Sequence, residues 1–324
     1  MKKIAITGGS GFIGTNLMEF LLNCGDSELL NLDHSPPKIP SHRSLWTKCD
    51  LLNQQDIIAA LQAFEPTQIV HLGGRTDMDG KTVDDYAANH RGTQNLVEVI
   101  QNLHSVERVI FTSSQFVVGP GHLPKSDLDF RPHTIYGQSK VLSEQIVRSA
   151  NLGCIWTIIR PTNIWGPWHP RYPNEFWRVL KQGRYLHPGG QRVRRSYGYV
   201  GTIIQQICVV LESPSEMVDK EVFYVGDPPI DLFDWANAFS LELRQQPVRV
   251  VPRPLLRGLA MIGDIVILSG GKFPIYTSRY RSMTESYVTP MDKTFEILGQ
   301  PSIPLHQGVK ETASWLRSSS SFWD

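Results

Sequence analysis

Cysteine is scarce in this chain. Cys24, Cys49, Cys154 and Cys208 are spread over 324 positions and no two stand as Cys-x-x-Cys. That excludes a disulfide framework and a zinc knuckle, and it fits a reducing compartment, so a cytoplasmic location is expected. Neither sign of charge is in excess: 32 Lys and Arg face 31 Asp and Glu, a net charge of +1. The balance supplies no electrostatic reason to expect nucleic acid or an anionic membrane as partner. No apolar run approaches the ~20 residues of a membrane span. The richest, residues 255–268, is interrupted by Arg257 and Asp264. After Met1-Lys2-Lys3 comes a short strand pattern and a glycine turn, not the apolar stretch of a secretory leader. The histidines, among them His71, His133 and His169, show no metal-ligand spacing. Most read as surface or loop residues and not as ligands, and no metal is expected. No internal repeat occurs, and only residues 318–321 form a low-complexity tail, which is expected to fray.

What is present is enough for a core. Hydrophobic residues make up 41% and charged residues 19%, which argues against disorder. The length fits two domains or one large α/β domain. Strand patterns at 3–7, 28–33, 68–72, 108–112 and 156–160 alternate with helix patterns at 12–23, 55–64, 84–103 and 136–150. Such βαβ units imply a parallel sheet with helices on both faces, and near-continuous apolar strands say that both faces are buried. After Pro161 the rhythm stops. Loops rich in Gly, Pro, aromatics and Arg precede one more strand at 222–225 and helices at 232–243, 255–268 and 306–317. These read as a smaller second unit.

Thr7-Gly8-Gly9-Ser10-Gly11-Phe12-Ile13-Gly14 follows the first strand and opens the first helix. Glycines at 8, 11 and 14 permit a tight turn, close approach of backbone N–H groups to a pyrophosphate, and a helix lying near the sheet. The helix N-terminus favours the phosphates. A plain glycine-rich turn has the same composition; the strand–turn–helix context favours the dinucleotide. Asp33 ends the second strand, where an acid ~20 residues past the glycines can bond the adenosine ribose 2′-OH and repel a 2′-phosphate. NAD is therefore expected over NADP. Asp50-Leu51 could hold the adenine edge.

Tyr136 and Lys140 are four apart in a helix pattern and so share a face. A lysine ammonium there would lower the pKa of the phenol. A phenolate could then take the proton of a substrate hydroxyl as hydride leaves its carbon. Ser114, at the end of the fourth strand, could bond the same oxygen. Tyr-x-x-x-Lys is common by chance as a surface pair; its place after a βαβ sheet with a dinucleotide turn favours the catalytic reading.

These landmarks resemble those of the extended short-chain dehydrogenase/reductase family, in its NAD-dependent sugar-nucleotide epimerase/dehydratase branch of the UDP-glucose 4-epimerase type. To the glycine turn, Asp33 and Asp50-Leu51 the chain adds His71-Leu72-Gly73-Gly74, Asn89 with Gly92-Thr93, and Phe111-Thr112-Ser113-Ser114. Further on stand Tyr136 to Lys140, Arg160-Pro161-Thr162-Asn163-Ile164-Trp165-Gly166-Pro167, and the Arg194-Arg195 stretch. The resemblance implies a Rossmann doubly wound parallel sheet with a smaller C-terminal substrate-binding domain. Residues 1–165, completed by segments near 196–230, would bind NAD; 166–195 and 231–324 would bind substrate. It implies cofactor contacts from Gly8, Gly11, Phe12, Ile13, Gly14, Asp33, Asp50, Leu51, Leu72, Gly73, Asn89, Tyr136 and Lys140. Substrate contacts would come from Ser114, Asn163 and Arg195, and a homodimer would form through the helices beginning near Asp84 and Tyr136.

The departures bear on the reaction. The 4,6-dehydratases carry Asp-Glu after the catalytic Thr, where this chain has Gln115 and Phe116. The family's Val-Tyr-Gly is Val117-Val118-Gly119, and its Val-Asp-Asp is Val200-Gly201-Thr202. Residues 255–268 and 276–281 are similar to the sterol-dehydrogenase branch. The expectation is an NAD-dependent nucleotide-sugar epimerase, inverting C4 through a transient 4-keto sugar. The alternatives are a dehydrogenase or reductase of a nucleotide sugar or sterol-like alcohol, and a non-catalytic NAD-binding sensor.

Overall fold

The computed structural model describes residues 2–271 and 273–318; the polar tail from 319 onward lies outside the described residues. The first half reads β1 (Lys2–Thr7), α1 (Phe12–Cys24), β2 (Ser27–Asp33), β3 (Trp46–Lys48), α2 (Gln54–Phe64), β4 (Gln68–His71), α3 (Ala87–Ile100), β5 (Arg108–Thr112), α4 (Ile135–Ser149) and β6 (Ile155–Pro161). With the strand Glu221–Val225 they form one seven-stranded sheet in the order Glu221–Val225, β6, β5, β4, β1, β2, β3. Every pairing in it is parallel. The chain winds outward from β1 in both directions, so a crevice opens beyond the carboxyl ends of β1 and β4, the place where such sheets bind ligands.

Side-chain alternation along the strands sorts the core into two layers. Ile4, Ile6, Val70, Ile110 and Ile159 face Leu17 and Met18 of α1 and Ile203 and Ile207 of the helix Val200–Glu212. Ala5, Ile69, Val109 and Ile158 face Ile57 of α2, Leu96 of α3 and Val147 of α4. Each Val, Leu, Ile or Met side chain so buried contributes about 1.5–3 kcal/mol. The first layer runs on without a break into Trp165, Trp177, Trp235 and Phe239, with Phe176 stacked on Trp235 at 4.6 Å. The aromatic-rich C-terminal part thus shares its core with the sheet.

Three elements differ from the sequence reading. The helix pattern at 84–103 is shorter: Thr82 and Asp85 form a reciprocal cap on a single tight turn, Val83–Tyr86, and α3 starts after it. The strand β3 has three residues, too few for a pattern to show. The helix Val200–Glu212, which covers the sheet beside α1, is read from the structure alone.

Candidate active site

The glycine turn is built by close approach. Gly8 has a left-handed backbone, φ 71°, and its N–H donates to the Leu32 carbonyl at 2.8 Å. A Cβ there would stand 2.7 Å from the Gly73 nitrogen, so the loops after β1 and β4 touch. On Gly14 a Cβ would meet the Gly8 carbonyl at 2.2 Å. The first turn of α1 has Gly11 as its cap and no side-chain partner for its N–H groups. That cradle, too narrow for any side chain and lined by N–H donors, fits a pyrophosphate. Phe12 packs edge-on against His169 at 4.9 Å, and Asn16 donates to the Pro167 carbonyl at 3.0 Å, so the loop after Asn163 lies over this turn.

Asp33 is buried beside it. Its two oxygens accept the N–H groups of Ser10 at 3.1 Å and Ser35 at 2.9 Å. Each oxygen has a second acceptor site for a ribose hydroxyl. Leu51 sits against the next loop, since a Cβ on Gly73 would be 2.5 Å from its Cδ1. Asp50 is instead exposed and caps its own turn through the Leu52 N–H at 3.0 Å. Asn89 accepts from the Arg75 N–H at 2.7 Å and donates to Ser139 at 2.9 Å, tying α3 to α4 behind Gly74.

Ser114, Tyr136 and Lys140 come together at the ends of β5 and α4. Thr134 caps α4 by accepting the Gly137 N–H at 2.9 Å. The Ser114 hydroxyl acts on the Tyr136 phenol in favour of its ionised form, and the Lys140 ammonium donates to the Thr112 carbonyl at 2.9 Å. Burial pushes Tyr136 up to about 12, while the Ser114 bond and the Arg171 cation act the other way. Burial also lowers Lys140 to about 8, against the pull of Glu144. The expected lowering of the phenol by Lys140 is therefore corrected: in this structure burial governs, and the cation acting on the phenol is Arg171. One turn beyond Lys140, buried Glu144 accepts from Ser113 at 2.6 Å and from Arg160 at 2.8 Å on each oxygen. His71 closes β4. It lies buried between Thr7 Oγ1 at 2.7 Å and Thr93 Oγ1 at 3.1 Å, and burial, then the Lys140 charge, holds its pKa down to about 3.

Gln115 is fully buried, and neither its amide oxygen nor its nitrogen has a protein partner. Phe116 packs among His133 at 5.5 Å, Tyr136 at 5.9 Å and Tyr287 at 6.1 Å. Asn163 and Arg195 lie on neighbouring segments: Asn163 pairs in register with Tyr197, two residues past Arg195. Arg195 is buried, donates to the Ser282 carbonyl and keeps its Nε without a partner. Tyr287 donates to the Gln115 and Val118 carbonyls, and its own N–H bonds the Arg194 carbonyl at 2.9 Å, which joins the Arg195 segment to the Ser114 loop. Arg171, Glu144 and Tyr287 carry no sequence motif of their own; only the fold brings them here.

A doubly wound sheet with a phosphate cradle at its switch point, and a Ser–Tyr–Lys set beside it, defines a dinucleotide-dependent enzyme. The chain belongs to the NAD-dependent epimerase/dehydratase family, whose model matches residues 4–226, and NAD is its cofactor. It is 28% identical over 254 residues to a 3-beta-hydroxysteroid dehydrogenase of Mycolicibacterium neoaurum, covering 73% of this chain and 69% of that protein. It is 29% identical over 297 residues to the N-acetyl-alpha-D-glucosaminyl-diphospho-ditrans,octacis-undecaprenol 4-epimerase of Escherichia coli O157:H7, covering 86% and 84%. The UDP-glucose 4-epimerase of Thermus thermophilus, solved with NAD, superposes with a TM-score of 0.73 at 21% identity over 98% of this chain and 99% of that one. That likeness is one of fold.

Proposed function

We propose that this enzyme inverts C4 of a nucleotide-linked sugar through a transient 4-keto sugar. The observation that carries the reading is the set at the end of β5: the Ser114 loop laid against Tyr136 through Phe116 at 5.9 Å, with Gln115 and Phe116 standing where a dehydratase needs an acid and a base. The Gly8–Gly14 cradle and α1 would hold the pyrophosphate of NAD, Asp33 its adenosine ribose and Lys140 its nicotinamide ribose. NAD, when bound, supplies the acceptor for the C4 hydride and the source of its return. Tyr136 takes the C4 hydroxyl proton and gives it back; Ser114 holds the oxygen between the two transfers. Asn163, Arg195 and Arg171 would hold the substrate, with the two arginines matching a diphosphate. Gln115 has an amide of no useful acidity and Phe116 has no proton to move, so water is not expelled from the sugar. Residues 166–195 and 231–324 would form the substrate-binding part. The side-by-side pair α3 and α4 would supply a homodimer interface.

The second reading, net oxidation of a sterol-like alcohol, is favoured by the similarity to the Mycolicibacterium dehydrogenase. Incubation with NAD and a panel of UDP-, GDP- and dTDP-sugars, a polyprenyl-diphosphate sugar of the kind the E. coli relative is named for, and a 3β-hydroxysteroid separates the two. Inversion at C4 by NMR, at constant mass and without net NADH, is the expected result. An 18-dalton loss (about one water) would sink the argument from Gln115 and Phe116. Accumulating NADH would favour the dehydrogenase.

A further inference from the structure

We infer that the outward face of the helix Arg253–Leu268 docks on an anionic lipid bilayer surface. The helix has two apolar faces. Leu256, Ala260 and Gly263 are buried, and the fit is so close that a Cβ on Gly263 would stand 1.9 Å from the Ile275 carbonyl oxygen. Leu255, Met261, Ile262, Ile265 and Leu268 recur at spacings of three, four and seven and so form one stripe. All five are exposed, Ile265 at 68% and Leu268 at 87%. Single exposed apolar side chains are ordinary on a surface; a contiguous stripe of five is a contact face.

The charge around the stripe selects the occupant. Residues 244–281 hold seven Lys and Arg and one acid, Asp264, a local net charge of +6, so the remainder carries −5 of an overall +1. Asp264 is engaged internally, accepting the Thr277 N–H at 3.0 Å and the Thr277 hydroxyl. Arg257 is exposed on the same helix. Arg249 and Arg281 are exposed on the preceding strand and on the helix Thr277–Thr284, which packs against this one. An apolar stripe with cations on its own helix and on the adjoining elements complements anionic headgroups over hydrocarbon. A second copy placed two-fold on the stripe would set +6 against +6. No helix among the described residues is long and apolar enough to cross a membrane, so this one would lie in the plane of the interface. The chain directly after this segment supports the substrate side, since Ser282 accepts from Arg195 and Tyr287 donates to the Gln115 and Val118 carbonyls. Docking would turn that side toward the lipid, whichever sugar or carrier is bound.

The test is co-sedimentation of the full chain with sucrose-loaded vesicles of phosphatidylcholine alone or mixed with phosphatidylglycerol. Partitioning onto the anionic vesicles should be at least tenfold stronger and should fall with added salt. Ile265→Asp with Leu268→Asp should abolish it. Arg249→Gln and Arg257→Gln should each weaken it about fivefold, with melting temperature and NAD binding kept. Those surface arginine variants keep the test decisive if the paired Asp variant misfolds. Absence of binding to anionic vesicles, binding indifferent to the arginine variants, or a solution dimer that Ile265→Asp dissociates would each overturn the proposal.

Discussion

The Phe116 carbonyl oxygen occupies the space a side chain on Gly137 would need: a Cβ there would stand 2.2 Å from it. This contact sets α4 directly on the loop that carries Ser114, and so fixes the reach from Ser114 to Tyr136. Gly137→Ala has to push the two apart. Overpacking of this kind costs about 1–3 kcal/mol, and a displacement of order 1 Å at the reacting groups costs about 10²-fold in rate. Melting temperature and kcat should both fall, and NAD affinity should change little, because the glycine cradle is built elsewhere. Unchanged kcat would show that the Ser114–Tyr136 spacing is not set here.

Tyr136→Phe keeps the ring contacts with Phe116 and Tyr86 and removes only the hydroxyl. Turnover should drop roughly 10²–10⁴-fold, the scale of a lost general acid–base, with NAD still bound. Ser114→Ala removes a hydroxyl that acts to lower the phenol's pKa, so any rise of kcat with pH that reports Tyr136 should move to higher pH. A pH–rate profile of both variants checks the pair; full activity in Tyr136→Phe would assign the proton to another group.

Asp33 accepts two backbone N–H groups beside the glycine turn, where it would meet the adenosine ribose. Fluorescence titration should show NAD binding more tightly than NADP. Asp33→Ala should weaken NAD by about 10–100-fold, the worth of a charged hydrogen bond, and narrow the gap to NADP. Equal affinity of the unaltered protein for both nucleotides would refute the assignment.

His71 is held neutral in the fold, with its pKa down to about 3 from the ordinary 6.5. The unfolded chain binds that proton near pH 6.5 and the folded chain does not. Its stabilising contribution is therefore present above pH 6.5 and is lost as pH falls toward 3. His71→Gln should flatten the acid limb of stability by about 1.4 kcal/mol per pH unit, one proton's worth. Urea unfolding between pH 4.5 and 6.5 reads the slope; parallel limbs in the two proteins would disprove it.

Much of this was legible in the sequence, for physical reasons. Five strands and the helices between them show because buried parallel strands are continuous apolar runs bounded by glycine and proline. Tyr136 and Lys140 show because helical spacing alone puts them on one face. What stayed hidden depends on distance in three dimensions. Arg171 acts on Tyr136 from a loop 35 positions away, and Tyr287 reaches Gln115 across 172 positions. A buried histidine such as His71 has the same letter as an exposed one. The near-zero net charge also concealed a feature, because a sum over the chain erases the concentration of cations between 244 and 281.

The contact between the loops after β1 and β4 has a consequence for exchange between relatives. The backbone of Gly73 leaves no room for a side chain on Gly8, and a side chain on Gly73 would run into Leu51. The three loops are sized to one another like parts cut from a single mould. Transplanting the glycine turn alone into another enzyme would bring one part without its counterparts. The smallest piece that can be swapped is the trio together: a side chain at 73 is expected to be tolerated when Leu51 is shortened with it, whereas one at 8 meets backbone and is not rescued by either partner.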